Sequence, residues 1–110
     1  MAGRLNKVIS LIEEGKAAFG PFMPPGSIPD AYWIATSPFD FVVWEMEHNP
    51  YNPSDLRLSL QFMLNRKQIA ESGSVAPAVV PFVRVPVHGR ENAGARDLSA
   101  LDLGRRLARR

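Results

Sequence analysis

A nearly continuous apolar run of strand formers, Phe39 to Trp44, stops abruptly at Glu45, Glu47 and His48, and this junction constrains the fold more than any other stretch of the chain. So apolar a segment reads as a strand buried on both faces, the pattern of a parallel sheet with helices on each side. Asn49-Pro50 and Asn52-Pro53 then break the strand, because proline has no donor for the ladder and restricts the residue before it. The three ionisable groups therefore stand at the strand's carboxyl end, where α/β proteins bind their ligands.

The rest of the chain alternates around this strand. Leu5, Val8, Ile9 and Ile12 predict an amphipathic helix over residues 4–14, with Gly15 as its stop. Lys16 to Met23 predicts a first strand, ended by Pro24-Pro25-Gly26; inside it, Gly20 and Pro21 mark either a close backbone approach or an irregular strand end. Ser27 as N-cap and Pro29 in the first turn open a helix carrying Ala31, Ile34 and Ala35, closed by Ser37-Pro38. After the second strand, Ser54 as N-cap and Leu56, Leu60, Met63 and Leu64 at helical spacing predict one helix to about Ser72, and Gly73-Ser74 turns the chain. Ala78 to Val85 predicts a third strand whose single charge is Arg84. Strands alternating with helices imply β-α-β units and a parallel sheet. Beyond Pro86 the pattern offers a helix from about Ala93 to Arg109, with Leu98, Leu101 and Leu107 inward, and no fourth strand. The expectation is an unfinished α/β protein of about three parallel strands with flanking helices.

At 110 residues the chain is one domain at most, with room for a modest core. Without an apolar run of about 18 residues, no membrane partner is expected. The amino terminus lacks the apolar core of a signal peptide and there is no cysteine, so neither a disulfide frame nor a thiolate site exists and a cytoplasmic location is expected. Residues 1–83 carry six basic and eight acidic groups, residues 84–110 seven and three, so the basic character lies in the tail. Arg105, Arg106, Arg109 and Arg110 read as a nucleic-acid arm or as a solvated end; lacking interleaved aromatics, they favour the latter, and a nucleic-acid partner is not expected.

Two constellations carry chemistry. His48 beside Glu45 and Glu47 suits a proton shuttle, since histidine titrates near neutrality and a carboxylate orients the ring; the same residues also read as a helix-start loop with solvated charges. One histidine and two glutamates at this spacing make no specific metal site. Arg84 in an apolar strand requires a partner, either a substrate carboxylate or an internal one such as Glu45 or Glu47. No serine nucleophile elbow, phosphate loop or Gly-rich dinucleotide turn occurs.

Over residues 4 to about 92 the sequence resembles the amino-terminal third of the HpcH/HpaI aldolase family, the metal-dependent pyruvate aldolases related to citrate lyase. The resemblance is carried by Glu45-Met46-Glu47-His48-Asn49-Pro50, where Glu45 stands at a position more usually Asp, and by Phe82-Val83-Arg84-Val85-Pro86 with the following Gly89-Arg90-Glu91. It implies a (β/α)8 barrel of which residues 1–92 form the first part, with residues 93–110 a divergent basic helical or disordered tail. It further implies a carbon–carbon lyase that cleaves 4-hydroxy-2-oxo acids to pyruvate and an aldehyde, assembled as a homo-oligomer. In these roles His48 is the base and Arg84 the anchor of the 2-oxo acid. Glu47 lies in the shell around the metal, Glu45 gives structural support, and Asp102, in Leu101-Asp102-Leu103-Gly104, is the partner of the histidine. The family's cofactor is a divalent cation, Mg2+ or Mn2+, whose Glu and Asp ligands lie on later strands absent from this sequence. The 110-residue chain alone is therefore expected to be inactive. The alternative is a non-catalytic small protein that associates with itself or a partner through open sheet edges.

Overall fold

The structure is a computed structural model that describes residues 4–86. The elements run α1 (Lys7–Glu13), β1 (Phe22–Met23), α2 (Ile28–Ala35), β2 (Phe41–Glu45), α3 (Pro53–Phe62), α4 (Arg66–Ser72) and β3 (Val80–Arg84). The strands form one sheet in the order β1-β2-β3, parallel throughout. The chain is thus α/β with a three-stranded parallel sheet, as the alternation of periods implies.

Polar caps decide where the helices start. The Oδ1 of Asn6 accepts from the N–H groups of Val8 and Ile9, and the Oγ of Ser27 accepts from that of Asp30. The helix expected over residues 54–72 is two helices, and Ser54 is not its cap. Asn52 Oδ1 captures the N–H groups of Ser54 and Asp55, while Pro53 occupies the first turn, where its missing donor costs nothing. The backbone then turns extended at Asn65, whose side chain caps a new helix by accepting from Gln68 N–H at 3.0 Å. Gly73, at φ +69°, ends α4 in the left-handed conformation that glycine adopts without strain.

The first strand is shorter than the expected Lys16–Met23. Pro21 cannot donate to the ladder, so pairing is confined to Phe22 and Met23. The preceding residues are nevertheless fastened to β2: Asp40 N–H donates to Phe19 O at 2.8 Å, and Phe19 N–H donates to Asp40 Oδ2 at 3.0 Å. Val43 N–H donates to Pro21 O at 2.9 Å. Gly20 sits at this crossing, and a Cβ there would lie 2.0 Å from Phe41 O. Of the two readings of Gly20, the close backbone approach is the one that holds.

The core lies on one side of the sheet. Val42 and Trp44 are buried with Ala31 and Ile34 of α2 and with Val79, flanked by Met23, Leu56, Phe62 and Met63. Burying side chains such as Ile34 and Val42 stabilises by about 1.5–3 kcal/mol each. Gly26 N–H donates to the Oγ of fully buried Ser59 at 2.8 Å, which ties the loop after β1 to α3. The opposite face of the sheet departs from the expectation of burial on both sides. The helices α2 and α3 both pack on the Trp44 side; on the other side Val43 pairs in register with Phe22 and Phe82, and Phe41 pairs with Val80, which is buried. Phe22 is 65% exposed and Phe82 39%. The stripe of α1 is likewise mostly open: Val8 is buried, while Leu5, Ile9 and Ile12 are exposed. Lys7 Nζ, 3.2 Å from Asp40 Oδ1, holds that helix to the start of β2.

Candidate active site

Parallel pairing puts Glu45 and Arg84 side by side at the carboxyl ends of β2 and β3, so both side chains leave the sheet on the face opposite Trp44. Arg84 Nη1 donates to Glu45 Oε2 at 3.0 Å, and Arg84 Nε pairs with Glu47 Oε2. The other oxygen of Glu45 turns back on its own chain and accepts from the N–H groups of Glu47 at 2.7 Å and His48 at 3.3 Å. One carboxylate therefore shapes the turn after β2 and fixes the arginine of the neighbouring strand. Asn49 Nδ2 donates to Glu45 O at 3.0 Å, and Met46 N–H donates to Arg84 O at 2.9 Å, which carries the ladder one residue past the strand. Met46 itself is buried and anchors the turn from below.

Glu45 and Glu47 are both buried, yet they are compensated differently. Burial pushes the Glu45 carboxyl up, but the Glu47 and His48 N–H groups and the Arg84 guanidinium together outweigh it and hold the group below the ordinary glutamate range. Glu47 Oε2 has no aligned hydrogen-bond donor; the compensation it has is the charge of Arg84. His48 Nε2 lies 3.8 Å from that oxygen, beyond hydrogen-bond distance, and its side chain is 67% exposed. The imidazole is thus presented to solvent beside a buried carboxylate.

The expected residues Glu45, Glu47, His48 and Arg84 are brought together, whereas Asp102 and the Gly89-Arg90-Glu91 connection lie outside the described residues. In the described sheet β3 is an edge, and the Arg84 side chain is 41% exposed, so its desolvation is partial. Sequence reasoning missed Asn49, whose amide braces the turn; its position between the ionisable cluster and Pro50 is the signal that marks it. Among the described residues no group of three or more His, Cys, Asp or Glu side chains is placed to hold a metal ion. Glu45 directs its oxygens at N–H groups and Arg84, and Glu47 directs Oε2 at the guanidinium, so this donor set does not fit the divalent cation. A separate groove of about 420 Å³ lies among the ends of α2 and α3 and the start of α4, lined by Tyr32, Phe62, Met63, Leu64 and Arg66, away from this cluster.

Comparison with protein-family models, with curated proteins and with solved structures finds no match. Among the described residues no helix is long and apolar enough to cross a membrane. The chemistry of the site therefore has to come from its own geometry.

Proposed function

We propose that this chain supplies the base-and-anchor half of an aldolase site of the HpcH/HpaI type, acting on 4-hydroxy-2-oxo acids. The observation that carries this reading is Arg84, clamped at the strand end between Glu45 and Glu47 with the His48 imidazole open to solvent beside it. Nη1 donates to Glu45 and Nε is ion-paired with Glu47, and the half-exposed remainder of the guanidinium suits the carboxylate of a 2-oxo acid. His48, with no hydrogen bond to its ring, takes the proton of the 4-hydroxyl. As that oxygen becomes the aldehyde carbonyl, the C3–C4 bond breaks, its electron pair passes to the pyruvate enolate, and the enolate is reprotonated at C3. In the family a divalent cation stabilises that enolate, a contribution of several kcal/mol. The described residues do not fit such an ion; the family's activity belongs to a (β/α)8 barrel assembled as a homo-oligomer.

The anchor is tested by titrating the ¹⁵N-labelled chain with pyruvate. Shifts at the Arg84 Nε–H and the His48 ring, lost in Arg84→Met, are expected; an unmoved Arg84 signal at saturating pyruvate would sink the proposal. Pyruvate released from a 4-hydroxy-2-oxo acid with Mg2+ or Mn2+, and abolished by His48→Ala, would show instead that the chain alone is catalytic.

A further inference from the structure

The groove of about 420 Å³ between α2 and the junction of α3 with α4 has a local cause. Asn65 turns extended so that its side chain can cap α4, and Met63 and Leu64, caught between the two helices, line the groove instead of continuing α3. Both are held there. The Sδ of Met63 accepts from Trp44 Nε1–H at 3.3 Å, and Leu64 N–H donates to Gln61 O at 3.3 Å. Across from them stands Tyr32 of α2, whose ring meets that of Phe62 edge-on with centroids 5.5 Å apart. Met63, Leu64 and Ala35 also border a pit of about 50 Å³ that reaches Ile69, Val75 and Val79, just before β3. The concavity therefore opens toward the amino ends of the strands, whereas Glu45 and Arg84 stand at their carboxyl ends.

A concave, largely apolar site of this volume has the scale of a small-molecule pocket, and a few polar groups on its wall set what it accepts. No Asp or Glu among the described residues lines it. Arg66 on its wall has no ion-pair partner among the described residues, and neither the Tyr32 hydroxyl nor the Gln61 side-chain amide has a hydrogen-bond partner among them. The next cation, Lys67, faces Glu71 at 3.9 Å instead. A single uncompensated guanidinium matches a single negative charge, and its planar fork matches a carboxylate. Two rings set edge to face favour a third ring over an aliphatic chain.

We infer that this groove binds a small aromatic monocarboxylate, its ring packed against Tyr32, Phe62 and Leu64 and its carboxylate held by Arg66. This does not rest on the aldolase reading, and its test measures no activity. The ¹⁵N-labelled full chain is titrated with 2-naphthoate and, separately, with 2-naphthamide, which keeps the rings and drops the charge. Saturable shifts are expected at the Leu64 and Arg66 amides and at the Trp44 indole N–H, which touches Met63 from beneath the groove. Loss of the charge pair, by 2-naphthamide or by Arg66→Met, should weaken binding at least about five-fold. Thr36→Phe, at an exposed position on the groove wall, should fill the site and abolish the shifts while the cooperative unfolding transition persists. Equal binding of the acid and the amide, binding that survives Thr36→Phe, or shifts confined to His48 and Arg84 would each overturn the inference. So would broadening of the groove signals that grows with protein concentration without ligand, which would assign the groove to a second copy.

Discussion

Replacing Glu45 by glutamine keeps the shape of the side chain and removes the charge on which the turn and Arg84 depend. Hydrogen bonds to a charged group contribute about 1.5–3 kcal/mol and neutral ones about 0.5–1.5 kcal/mol. An amide oxygen can keep both N–H bonds, from Glu47 and His48, so the substitution weakens each by about 1 kcal/mol. The lost pairing with Arg84 adds at most about 1 kcal/mol, because the arginine is 41% exposed and screened. Glu45→Gln should therefore cost about 2–3 kcal/mol near neutral pH, which for a domain of this size lowers Tm by about 10–20 °C. Urea unfolding followed by the fluorescence of Trp44, which is fully buried beside the substituted residue, measures the difference. The pH dependence supplies the sharper check. The carboxyl of Glu45 is held below its ordinary value of 4.5, so its contribution is complete above that value and is lost as pH falls through the lower, folded-state value. The gap between parent and variant should close over that acid range. A gap that stays constant with pH, or none at neutrality, would refute the assignment of Glu45 as the charged organiser of the turn.

Three further substitutions test the frame that holds the site. Gly20→Ala places a methyl 2.0 Å from the Phe41 carbonyl oxygen and should destabilise by at least about 1–3 kcal/mol in the same unfolding assay, with a neutral result excluding the close crossing of the two strands. Ser59→Ala strands the Gly26 N–H and should cost about 1–3 kcal/mol, with faster hydrogen exchange at that amide. Asn65→Ala should cost about 0.5–2 kcal/mol, and its effect on exchange should centre on α4 from Gln68 onward; fraying spread equally through α3 would mean that the two helices behave as one.

Much of the frame was legible because local signals and packing agree. Ser27 and Pro29 predict the start of α2, and Ala31, Ile34 and Ala35 are the residues it buries. The same logic misplaced the next helix, since leucine spacing runs through Asn65 while the side-chain amide of that residue restarts the backbone. The second face of β2 is covered less fully than the apolar run implies, for a different reason. A continuous apolar run records what a strand would bury if both sides were covered, and it cannot register that α2 and α3 lie on the same side.

The site was legible in membership and less so in its internal economy. Three ionisable groups at a strand end and an arginine on the next strand imply proximity once the sheet is parallel, and the register of Glu45 against Arg84 provides it. What spacing could not show is how unequally the carboxylates are used. Glu45 is saturated by two N–H groups and Nη1, whereas Glu47 leans on Arg84 with an oxygen that has no aligned donor. Under the proposed function, an incoming carboxylate shares Arg84 with Glu47 before it disturbs Glu45, and the balance between them sets its affinity. Glu47→Gln should accordingly tighten pyruvate binding in the NMR titration, because it removes the competing negative charge while the turn built on Glu45 stays in place. Weaker binding in that variant would mean that Glu47 positions Arg84 for the ligand instead of competing for it.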